Sequence, residues 1–70
     1  MRARERRIAA VHVHAGVTSR WCVRIGGRDR ARSRHSTKRG AVTEGRRIAR
    51  RYGVPLITHR WDGTVESVVS

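Results

Sequence analysis

The chain has 70 residues and little of what usually stabilises so small a domain. It has one cysteine, so no disulfide closes within it, and no Cys/His set stands at zinc-binding spacing. It has no Phe, and its large rings are Trp21, Trp61 and Tyr52 alone. A domain of this length buries only ~60% of its unfolded surface, so a thin core leaves stability to a partner subunit or a bound ligand. Acids are scarce too. Five scattered Asp and Glu exclude a carboxylate cluster for Mg²⁺. No apolar run approaches the ~18 residues of a membrane span. The start, Arg2 to Arg7 followed by Ile8-Ala9-Ala10-Val11, imitates a signal peptide, but His12 and His14 break its apolar stretch. A reduced, cytoplasmic chain is the expectation, nucleoid-associated if it binds DNA.

Positive charge is abundant. Seventeen Lys and Arg against five acids give a formal net charge of +12. Sixteen of the seventeen are Arg, the codon signature of a GC-rich genome. That balance points to a polyanionic partner and away from a small-molecule enzyme.

The pattern along the chain assigns the elements. Residues 1–7 have no apolar period and read as a flexible basic arm; residues 8–70 read as one small α+β domain. From Ile8 to Ala15 the period is two, with Val11, Val13 and Ala15 on one face and His12 and His14 on the other. Gly16 to Ser19 makes a turn. Trp21, Val23 and Ile25 then alternate with Arg20, Cys22 and Arg24, completing a β-hairpin. Residues 28–35 hold Arg at every second position and read as a loop or an irregular strand. Thr37 is an N-cap, and a helical period follows to Tyr52, closed by Gly53 with Pro55 beyond it. At ~100° per residue, Ala41, Val42, Gly45, Ile48, Ala49 and Tyr52 share an apolar arc, while Arg39, Arg46, Arg47, Arg50 and Arg51 lie opposite. Residues 54–61 form an apolar run, and Asp62-Gly63 predicts a two-residue hairpin turn that pairs His59 with Glu66. The order is β-β-α-β-β, one helix packed on an antiparallel sheet. Neither face of the last hairpin is cleanly polar, so a second subunit is expected to cover it, giving a homodimer.

His12-Val13, Trp21-Cys22-Val23, Thr37 opening an Ala/Arg helix, and His59 before Asp62-Gly63 occur here in one order. That ordered set resembles domain of unknown function family 2188, very short bacterial and phage proteins, over about residues 11–68. The resemblance implies the β-β-α-β-β fold and no activity. Gly40 stands where a capping-box acid would sit, and arginine is denser than the family pattern.

Function follows from the charges. Arg28, Arg30, Arg32 and Arg34, with Lys38, Arg39, Arg46, Arg47, Arg50 and Arg51, are the candidate nucleic-acid-binding residues, since guanidinium forks suit phosphate. A solvated face made basic by codon usage is the alternative, and the self-repulsion of +12 argues against it. Single-strand binding needs exposed rings, and only Trp61 lies off the inferred core, so a duplex is favoured, DNA before RNA. Thr18, Ser19, Ser33 and Ser36 are available for hydrogen bonds to phosphate, though turn chemistry explains them equally well. His12, His14, His35 and His59 evoke acid–base cleavage of a phosphodiester, but no carboxylates support them, and a ribonuclease-like toxin is the third reading. Cys22, between Arg20 and Arg24, reads as a small buried residue at a subunit interface rather than a reactive thiol. The expectation is a non-enzymatic accessory or regulatory factor, plausibly phage-encoded, without metal or cofactor. The second reading is a module that captures an acidic host protein.

Overall fold

The computed structural model describes residues 9–18, 20–26 and 31–70. The basic arm at 1–7, Ile8, Ser19, Arg28 and Arg30 lie outside the described residues. Six elements follow in order: β1 (Val11–Ala15), β2 (Trp21–Ile25), β3 (Ser33–His35), α1 (Lys38–Tyr52), β4 (Leu56–His59) and β5 (Val65–Val69). They form one five-stranded sheet in the order β3-β2-β1-β4-β5, with α1 on one face.

The expected helix-on-sheet architecture is present, with two additions. The arginine-rich stretch ends in a three-residue strand, β3, whose Trp21↔His35, Cys22↔Arg34 and Val23↔Ser33 pairs extend the first hairpin. The sheet is also mixed rather than wholly antiparallel, because β1 and β4 run parallel, pairing Val11↔Leu56, His12↔Ile57 and Val13↔Thr58. β3 causes this. Two antiparallel steps, β1 to β2 and β2 to β3, leave β3 parallel to β1. A helical crossover from β3 then delivers β4 parallel to both.

The helix occupies its expected span for the expected reasons. Thr37 accepts a hydrogen bond from the Gly40 N–H at 3.1 Å, satisfying one free donor of the first turn. Gly53 ends the helix at φ 68°, a left-handed conformation that suits glycine. Val11, Val13, Val23, Ile25 and Leu56 of the sheet pack against Ala41, Ile48 and Ala49 of α1, with Trp21, Val42 and Val54 at the margin. Gly45 lets the layers meet. A Cβ there would lie 2.9 Å from Leu56 Cδ1 and 3.0 Å from Val13 Cγ2. Tyr52 departs from expectation: it is 42% exposed at the last helical position rather than part of the core.

The second hairpin turns on three residues rather than two. Arg60 pairs with Thr64, the Gly63 N–H donates to the Arg60 carbonyl at 2.9 Å, and Gly63 takes φ 95°. Asp62 secures the turn by accepting from the Thr64 N–H at 3.0 Å and its hydroxyl at 2.8 Å. His59 is therefore opposite Val65, not Glu66, and a register shift restores Thr58↔Ser67 beyond it. Glu66 ion-pairs instead with Lys38.

Candidate nucleic-acid interface

The solvent face of α1 is built by helical spacing. Arg39, Thr43, Arg46 and Arg50 fall within ~60° of arc, with Arg47 and Arg51 beside them. All five arginines are exposed. Thr43, Arg46, Arg47, Arg50 and Arg51 line a shallow, open depression on this face. Arg50 and Arg51 occupy the last turn, where positive charge complements the helix dipole. Arg39 has no such compensation, since the first turn holds no acid.

One of the five is engaged. Arg47 donates through Nε and Nη2 to the two oxygens of Glu44, at 3.1 and 2.6 Å. That fork holds the Glu44 carboxyl below the usual carboxylate range and raises Arg47 above its own ordinary value. Arg39, Arg46, Arg50 and Arg51 form no ion pair among the described residues. They are concentrated positive charge without a counter-charge.

The remaining candidates separate. Lys38 pairs with Glu66 and lies 5.3 Å from the centre of the Trp21 ring, so its charge is held against the sheet. The Lys38 ammonium in turn keeps the Glu66 carboxyl low. Arg32 is exposed and close enough for its charge to act on Glu44, at the flank of the helix face. Arg34 stands opposite Cys22 and so belongs to the sheet face turned away from α1. Arg28 and Arg30 lie outside the described residues.

Two rings are on the surface, Trp61 at 80% and Tyr52 at 42% exposure. The second was hidden by its place in the apolar arc. The signal that it is exposed was its position as the last residue of the helix.

The histidines are organised by the sheet. The parallel β1–β4 pairing brings His12 Nδ1 to 3.0 Å from His59 Nε2, with the rings stacked at 5.3 Å between centres. His59 Nδ1 lies 3.1 Å from the Gly63 carbonyl, which only accepts, so Nδ1 donates there and Nε2 accepts from His12. Burial, then the neighbouring His59, Arg24 and His14, hold the His12 imidazole below its ordinary value. His35 Nε2 is 2.9 Å from the Ser33 hydroxyl, which accounts for that serine locally. Cys22 is buried within its own chain, at 5% exposure. No group of three or more His, Cys, Asp or Glu suited to a metal occurs among the described residues. None of their helices is long and apolar enough to cross a membrane.

No curated protein and no solved structure matches the chain. A family of uncharacterized proteins conserved in bacteria, DUF2188, matches residues 11–68. That span takes in every element from β1 to the body of β5, including the histidine pair and the arginine helix, and the chain belongs to this family.

Proposed function

We propose that this protein binds double-stranded nucleic acid, DNA in preference to RNA, through phosphate contacts made by the solvent face of α1. One observation carries the reading: four exposed arginines, Arg39, Arg46, Arg50 and Arg51, share one helix face with no acidic partner among the described residues. Like charges three and four residues apart weaken a helix, so the face is tolerated at a cost in the free protein. Phosphates remove that repulsion and accept the guanidinium forks. The role is that of a non-enzymatic accessory or regulatory factor.

Four phosphate contacts predict that log affinity falls with log salt at a slope of roughly −3.6. Gel shifts with duplex DNA, duplex RNA and heparin across a salt series measure it. A slope near zero, or no binding at low salt, refutes the reading. Arg46→Glu with Arg50→Glu weakens binding to all duplexes alike and leaves sequence preference unchanged; an unaltered affinity would put the interface elsewhere.

A homodimer is part of the same proposal. β5 is an edge strand, and its Val65, Val68 and Val69 are 51, 59 and 51% exposed. Among the described residues no strand pairs with its outer side, and an apolar edge of this kind is what a second copy covers by strand pairing.

A further inference from the structure

The sheet face turned away from α1 holds a recess of about 260 Å³, beside the turn between β1 and β2. Its chemistry comes from His14, Cys22, Arg24 and Arg34, with Arg20 and Thr18 at the rim. Register explains the grouping: His14 stands opposite Cys22, Cys22 opposite Arg34, and Arg24 two residues along β2 on the same face. Three guanidinium groups thus surround one hollow. Among the described residues the acids are all engaged elsewhere, Glu44 by Arg47, Asp62 by Thr64 and Glu66 by Lys38.

Two side-chain nitrogens, His14 Nε2 and Arg24 Nε, are withdrawn from solvent with no hydrogen-bond partner, and no other side-chain nitrogen or oxygen of the described residues is so placed. Their roles are opposite. His14 Nδ1 lies 3.0 Å from the Ala15 carbonyl and donates to it, which leaves a lone pair at Nε2 in the neutral ring. Arg24 Nε carries a hydrogen and only donates. Buried polar atoms are normally satisfied, so two unsatisfied nitrogens on residues that line the recess mark it as short of a polar partner.

We propose that this recess binds a phosphate monoester. Its anionic oxygens accept from the guanidinium groups of Arg20, Arg24 and Arg34. Above the second ionisation at ~6 the dianion predominates, and its two negative charges match the cluster of guanidinium groups. A diester carries a single negative charge and two free oxygens, and so meets this cluster less fully. The volume equals that of about eight or nine waters at ~30 Å³ each, enough for a phosphate and a small substituent and too little for a duplex. The site stands apart from the α1 face, which covers the opposite side of the sheet, and does not depend on it.

The test follows backbone amides and the His14 ring by NMR at low salt. Inorganic phosphate, a nucleoside 5′-monophosphate, 5′-phosphorylated and 5′-hydroxyl oligonucleotides, and dimethyl phosphate are each titrated. Saturable shifts at His14, Cys22 and Arg24 are expected with the monoesters, and binding about tenfold or more weaker with the diester. The tighter of nucleotide and phosphorylated oligonucleotide identifies whether the source is a free metabolite or a strand end. Arg34→Gln, at an exposed position, lowers monoester affinity, and Arg24→Lys does so with an unchanged circular dichroism spectrum. Arg46→Glu with Arg50→Glu leaves monoester binding intact. No saturable shift at these residues with millimolar phosphate, or equal binding of the diester, overturns the proposal.

Discussion

His12 is the residue whose ionisation folding opposes. Burial, followed by His59, Arg24 and His14, depresses its folded value, so the folded chain refuses a proton that the unfolded chain accepts. Stability is therefore complete above the unfolded value of ~6.5 and is lost as pH falls below it toward the depressed folded value. Denaturant midpoints should drop between about pH 7 and pH 5, and His12→Gln should flatten that slope. A variant with the parent's slope would place the titration elsewhere. The alternation Val11-His12-Val13-His14 disclosed which face His12 takes. Its partner was not legible, because His59 is 47 residues away and arrives by a parallel pairing that no local pattern encodes. Counting from a two-residue turn pairs His59 with Glu66. Gly63, at φ 95°, adds a residue to the turn, and the shift near Glu66 returns it. A slip confined to two pairs still moved both side chains to new partners.

At the scale of elements, α1 was the most legible part of the molecule, since Thr37 and Gly53 mark ends that local chemistry alone decides. Its one misplaced residue, Tyr52, belongs to the apolar arc by angle but stands at the exposed last position of the helix. Gly45 separates local preference from packing. In an isolated helix Gly45→Ala gains ~1 kcal/mol. Here the methyl meets Leu56 and Val13, and overpacking of this kind costs ~1–3 kcal/mol, so a net loss of about 1 kcal/mol is expected in thermal or chemical unfolding. The solvent face should respond less. Arg46→Ala with Arg50→Ala removes a like-charge pair worth ~0.2–0.5 kcal/mol together with a favourable charge at the helix C-terminus worth ~0.3–1 kcal/mol, and should change stability by less than about 1 kcal/mol. A clear loss would mean that these arginines serve the fold rather than a ligand. β3 resisted reading because its Ser33-Arg34-His35 carries no apolar residue. Only the neighbouring β2 makes it a strand.

For the whole molecule, charge lies on both sides of a two-layer body. The arginine helix occupies one side; His12, His14, Arg24 and Arg34 occupy the other. The composition announced the total and not this division, which depends on strand register. The edges are unequal as well. β3 is short and polar, whereas β5 is longer and presents valines. A mass measurement in solution is expected to find two chains, and Val65→Lys with Val68→Lys to return one, with the fold retained. A parent protein of single-chain mass at all concentrations would refute the dimer. The parallel β1–β4 contact carries a further consequence, for synthesis. β1 is the central strand, yet one of its two neighbours, β4, is synthesised only after β2, β3 and α1. Until Leu56 emerges, Val11 and Val13 flank an open edge, and α1 lies over half a floor. A nascent chain that pauses before β4 thus offers its central strand to any other chain nearby, so the interval between the codons of Tyr52 and His59 is when this protein needs shelter.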